Sequence, residues 1–69
     1  MKALTISNIQ IGNKFKLSSG AICTIEDIVY EAKWDSTFVS TSFEGLSTNF
    51  EDRINTLVEF LNEENSIQI

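Results

Sequence analysis

The stretch from Ile11 to Tyr30 sets the tightest limit on how this chain folds. Phe15 and Leu17 alternate with Lys14 and Lys16, Ser18-Ser19-Gly20 follows, and Ala21 to Tyr30 is rich in β-branched residues. A period of two sends alternate side chains to opposite faces of a sheet, and glycine supplies the positive φ of a tight reversal. The stretch reads as a β-hairpin with its turn at 18–20. In its second strand Cys23, Ile25 and Val29 share one face, while Ile22, Ile28 and Tyr30 share the other. Glu26-Asp27 interrupts this alternation. Two arrangements fit: a β-bulge that turns both Ile25 and Ile28 to the core and curves the sheet, or a solvent-facing acidic pair near the strand end. Gly12-Asn13 is a turn or bulge signal ahead of the hairpin.

The remaining elements can be read as cover for the face that the hairpin creates. Thr37 to Phe43 is a third strand, with Val39, Thr41 and Phe43 on one face and Phe38, Ser40 and Ser42 on the other. Phe50, Ile54, Leu57, Val58 and Leu61 then recur at the spacing of one helical stripe. Thr48-Asn49-Phe50-Glu51 matches a capping box, and Glu51 and Asp52 suit the positive end of a helix. The spacing predicts a helix from Asn49 to Glu64, roughly 22 Å long, frayed at Glu63 and Glu64 and closed by a left-handed Asn65. Met1 to Ile6 reads as a short first strand broken by Ser7-Asn8. Ser66-Ile67-Gln68-Ile69 alternates again; a short last strand that buries both isoleucines is expected in preference to a loose tail. The expected fold is α+β: a small curved antiparallel sheet, one C-terminal helix and a short final strand, all in a single domain over residues 1–69.

Composition narrows the functional classes. A chain of 69 residues buries only about 60% of its unfolded surface, but 42% hydrophobic and 22% charged residues suffice for a compact core. The single cysteine, Cys23, rules out an intramolecular disulfide and points to a reducing, cytoplasmic setting. Residues 1–6 are too short and too polar afterwards for a signal sequence, and no apolar run reaches membrane-spanning length. The net charge of −5 is uneven. Lys2, Lys14, Lys16 and Lys33 outweigh Glu26, Asp27 and Glu31, whereas Arg53 alone faces Asp35, Glu44, Glu51, Asp52, Glu59, Glu63 and Glu64. An acidic second half argues against direct binding to nucleic acid or an anionic membrane, and suits a basic protein partner.

The run Ile11-Gly12-Asn13-Lys14-Phe15, then Ser18-Ser19-Gly20, then Ile22 to Ile28, is similar to the opening of small SH3-like barrels. The segment Leu57-Val58-Glu59-Phe60-Leu61-Asn62-Glu63-Glu64-Asn65 looks like the tails of many short proteins encoded by bacteriophages and other mobile elements. These resemblances imply a half-barrel carrying a helix, in a class where inhibitors of host enzymes and defence systems are common. They carry no catalytic residue across.

No residue pattern points to catalysis. Histidine is absent, which removes the commonest general base and transition-metal ligand. Cys23 in an apolar strand reads as a small buried hydrophobe. Ser18-Ser19-Gly20 lacks the longer glycine pattern and the lysine of a P-loop. Lys14 and Lys16 read as guards of a sheet edge. Glu26/Asp27 and Glu51/Asp52 lack the alternating ligands of a calcium loop. No cofactor is expected. Trp34, Tyr30, Phe38 and Phe60 are more informative, because so small a domain does not easily bury every aromatic ring. They are either a protein-binding patch or a cap on the core edge.

The reading that follows is a non-enzymatic inhibitor or adaptor of the phage anti-defence type. It docks Glu51, Asp52, Glu59, Glu63 and Glu64, with Phe60 and Trp34, onto a basic surface of a nucleic-acid-handling host protein. Two other classes are compatible. One is an oligomer that traps a nucleotide or other small signalling ligand between Lys14, Lys16, Arg53 and the aromatics. The other is a structural subunit that pairs with copies of itself.

Overall fold

Side-chain alternation and one extra residue shape the sheet. The structure, a computed structural model, describes residues 3–69. Strands β1 (Lys14–Lys16), β2 (Ile22–Glu31), β3 (Ser36–Phe43), β4 (Phe50–Arg53) and β5 (Ile67–Gln68) form one antiparallel sheet in the order β4-β3-β2-β1-β5. The helix α1 (Ile54–Glu63) joins β4 to β5. The sheet is not closed: β4 and β5 are its two edges.

The hairpin forms as its pattern dictates. Phe15 pairs with Cys23, the Leu17 amide donates to the Ala21 carbonyl at 2.9 Å, and Gly20 takes a φ of +93° in the turn. The bulge is present. Ile25 pairs with Thr41 and Asp27 with Ser40, so Glu26 is the unpaired extra residue. It resets the alternation: Ile28 joins Cys23 and Ile25 on the core face, and Val29 turns to the outer face, where it is largely exposed. The simple alternation had grouped Val29 with Cys23 and Ile25; the inserted residue reverses that.

The inner face carries Phe15, Cys23, Ile25 and Val39, all buried, with Thr41 beside them. Leu57 and Leu61 of the helix close the core from above, with Ile9 and Leu17 at its margin. Leu4 is clasped to the helix by two hydrogen bonds. Its amide donates to Asn62 Oδ1 at 2.8 Å, and Asn62 Nδ2 donates to its carbonyl at 2.9 Å.

Four expectations need correction. The helix begins at Ile54, not Asn49, because Phe50–Arg53 pairs as β4 with Phe38–Thr41. Sheet pairing satisfies β3's open edge, a demand that outweighs a local capping signal. Arg53 is the residue preceding the helix, and its side chain caps nothing. Ser66–Ile69 does contribute a strand, but Ile67 and Ile69 stay exposed because two residues pair only along the margin of β1. The expected first strand is absent from residues 3–6: Asn8 Oδ1 accepts from the Thr5 amide at 2.9 Å, and Ile6–Asn8 forms a 3-10 turn; Met1 and Lys2 lie outside the described residues. Finally, β1 lies between β2 and β5, so Lys14 and Lys16 guard no edge.

The helix is closed by the expected left-handed Asn65, while the Glu64 amide still donates to the Phe60 carbonyl at 3.0 Å, so fraying at Glu63 and Glu64 is not seen. Asn65 has a φ of +52°, the Ser66 amide donates to the Leu61 carbonyl at 2.9 Å, and the Asn65 amide donates to that of Asn62 at 3.1 Å. This paired arrangement satisfies carbonyls that the helix end would otherwise leave bare.

Candidate functional site

The ends of β3 and β4 and one flank of α1 border a cleft. Alternation along β4 points Phe50 and Asp52 to the helix side and Glu51 and Arg53 to the outer side. Phe50 lies edge-on to Phe43, with ring centroids 5.7 Å apart and planes at 82°. Such an edge-to-face pair is attractive beyond its burial, and it requires β4 to lie beside β3. Phe60 flanks the helix stripe, as its displacement from Leu57 and Leu61 dictates, and borders the cleft from above. Leu46 of the 44–49 loop closes one end. The resulting groove, about 370 Å³, is lined by Thr41, Phe43, Leu46, Phe50, Asp52, Leu57 and Phe60. Its rim is open to water: Leu46 is 57% exposed, Phe50 45% and Phe60 39%. Asp52 is the only ionisable group among the lining residues.

The structure divides the residues picked from sequence among separate surfaces. Asp52 and Phe60 meet in the groove. Glu63 and Glu64 follow Phe60 by three and four residues, so they extend its flank by one helical turn; Glu63 is exposed and Glu64 half-buried. Glu51 and Trp34 belong instead to a shallow hollow on the outer face, with Val29, Glu31 and Phe38. Glu59 borders a third hollow with Leu4, Thr5, Ile6, Ser7, Asn55 and Val58. The single acidic face expected from sequence is therefore not one face, because strand alternation separates Glu51 from Asp52 and the helix turns Glu59 away from Phe60. Phe43, Leu46 and Phe50 were missed as site residues. Phe43 and Phe50 read as core positions of a strand and a helix stripe, and Leu46 lies between the elements that periodicity marks.

The outer face differs in electrostatics. Lys33 Nζ lies 5.3 Å from the centre of the Trp34 ring, and the Arg53 guanidinium lies 6.0 Å from that of Phe38. Both aromatics are thus supplied with a cation by the chain itself. Lys14 and Arg53 sit on strands three places apart in the sheet, roughly 14 Å at the usual strand spacing, so one copy of the chain does not bring these two together.

Cys23 has no exposed surface. Burial pushes its thiol above the ordinary value of 9.0, opposed by a hydrogen bond with the Thr41 side chain. It packs as a core residue, as its strand position suggested. Among the described residues no three His, Cys, Asp or Glu side chains gather as a metal ion would require, and no helix is long and apolar enough to cross a membrane. Compared with protein-family models, curated proteins and solved structures, the chain matches none.

Proposed function

We propose that this chain is a non-enzymatic binding module that seats its acidic, phenylalanine-rimmed groove on a basic surface of a protein partner. The groove carries the reading. Phe43, Leu46, Phe50 and Phe60 gather around one carboxylate, and Leu46, Phe50 and Phe60 leave much of their apolar surface in water. An open aromatic patch with a charged rim suits the centre of a protein interface, where a few aromatic anchors supply most of the affinity. Asp52 in the groove, with Glu63 and Glu64 beyond Phe60, gives that patch a negative sign. The net charge of −5 extends the attraction to longer range and speeds encounter with basic surfaces.

A protein that handles nucleic acid presents such a basic surface. The proposed role is therefore an inhibitor or adaptor acting on a protein of that kind in the cytoplasm of a host cell, in the manner of phage anti-defence proteins. Nucleic acid itself is a poor partner for this chain, since phosphate contacts draw on lysine and arginine.

The test is a paired capture experiment. The wild-type chain and a Phe50→Ser/Phe60→Ser variant, both shown to be folded by circular dichroism, are immobilised and challenged with a host lysate, and bound proteins are identified by mass spectrometry. The expected result is a protein with a basic surface that the wild type holds, the variant loses, and a threefold rise in salt weakens. Identical capture by both chains, or affinity indifferent to salt, overturns the proposal.

A further inference from the structure

We infer that the groove is a socket for one arginine side chain on the partner's surface, an assignment that rests on the binding reading above and names its occupant. The argument comes from a contrast within the molecule. On the outer face each aromatic, Trp34 and Phe38, is covered by a cation of the same chain. In the groove three phenylalanine rings stand beside a carboxylate, and no lining residue is cationic. None of the side-chain hydrogen bonds among the described residues uses Asp52. Ring faces and a free carboxylate both attract positive charge, and here they share one opening without an internal partner.

Size and shape select arginine. At about 370 Å³ the groove holds a long side chain together with part of its own backbone. A guanidinium is planar, stacks on a ring, and donates two parallel N–H bonds to a carboxylate. It is also more weakly hydrated than an ammonium, so less hydration is lost on entering a phenylalanine-lined site. The edge-to-face pair of Phe43 and Phe50 does not stack the two rings on each other, and the Phe50 ring is 45% exposed and so open to receive it. Leu46 and Leu57 offer apolar walls to the methylene stem.

The test uses the intact chain and a small probe. N-acetyl-arginine N-methylamide is titrated while backbone amide and aromatic ring signals are followed by NMR, beside the neutral citrulline isostere and the leucine analogue. Saturable shifts centred on Phe43, Phe50, Asp52 and Phe60 are expected. The citrulline compound should bind about tenfold more weakly, and Asp52→Asn should weaken arginine binding by a similar factor, as expected when a charge-assisted bond becomes a neutral one. Asp52 is exposed, so the variant's thermal midpoint serves as the control for folding and should not move. Equal binding of citrulline or leucine, an Asp52→Asn chain that binds as the wild type does, or shifts centred elsewhere would overturn the assignment. The two proposals fail separately. Partner capture lost in the Phe50/Phe60 variant without arginine binding leaves the groove an interface and removes only its occupant. Arginine binding with capture intact in that variant preserves the socket and removes the groove from the partner interface.

Discussion

Truncating Leu61 tests whether the core lies where the helix meets the inner sheet face. Leu61 has no exposed surface, and it packs with Phe15, Ile25 and Val39, which are themselves fully or almost fully buried. Leu→Ala changes cost about 2–5 kcal/mol, and the upper half applies where surrounding side chains are too well held to collapse into the space. The strands beneath Leu61 are held by pairing on both sides, so Leu61→Ala should cost about 4 kcal/mol. A domain of this length has a total stability of roughly 4–10 kcal/mol, so the variant stays folded only narrowly. Cys23 supplies the assay. It lies in the same cluster with no exposed surface, and only its thiolate reacts with a disulfide reagent. When reclosing outpaces labelling, the labelling rate follows the fraction of open molecules. A loss of 4 kcal/mol should therefore accelerate labelling about a thousandfold. A change below about tenfold would mean that Leu61 and Cys23 do not share a core.

Three further outcomes follow from the same packing. Thr48→Ala should leave urea stability within about 0.5 kcal/mol, because Thr48 precedes a strand instead of capping a helix; a loss of about 1 kcal/mol or more would restore the capping box. Ser66 Oγ is buried with no hydrogen-bond partner among the described residues, so Ser66→Ala should raise stability by up to about 1 kcal/mol in the same titration, and a clear loss would reveal a partner. The Cys23 thiol is held above its ordinary value of 9.0 by burial. The folded chain therefore keeps a proton that the unfolded chain releases. This stabilisation is full below the unfolded pKa and is lost as pH rises from there through the folded value. Denaturation midpoints should fall above pH ~9, and fall less in Cys23→Ala; equal slopes in both chains would refute the assignment.

Sequence periodicity made much of this fold legible, but only where neighbours in the chain are also neighbours in space. Phe15, Cys23 and Ile25 declared their face by alternation, and the broken rhythm at Glu26-Asp27 marked the place of the bulge without deciding between it and a solvent-facing acidic pair. Leu57 and Leu61 declared the helix, and Asn65 its end. Phe50 was misleading because its spacing to Ile54 fits a helix, while the partner that makes it a strand residue, Thr41, lies nine positions upstream. Ile67 and Ile69 alternate as a strand should, yet alternation says nothing of whether the margin it pairs with is covered. The groove was half legible. Asp52 and Phe60 stood out by charge and by their distance from the helix stripe. Their companions Phe43 and Phe50 became site residues only because β4 and α1 leave a gap that no local pattern records.

The bulge also sets how independently the parts of the sheet can move. Beyond Glu26, β2 has only β3 beside it, and β3 is joined by β4 only from Phe38 to Thr41. The remainder, Tyr30 to Thr37, is a two-stranded ribbon, a form that is marginal by itself in water. Local bonds hold its tip: Tyr30 Oη donates to Asp35 Oδ1 at 2.6 Å, and Ser36 Oγ donates to the Trp34 carbonyl at 3.1 Å. At its base the Asp27 carboxylate accepts from the Ile28 amide at 2.9 Å, occupying a donor that a foreign strand would seek. The molecule therefore has two tiers of opening. Amides of the ribbon exchange through local fraying, whereas those of Cys23, Ile25, Val39 and Thr41 wait for the whole domain to open. The groove is built on the second tier, so the tip can fray and close many times while the rings around Asp52 keep their arrangement.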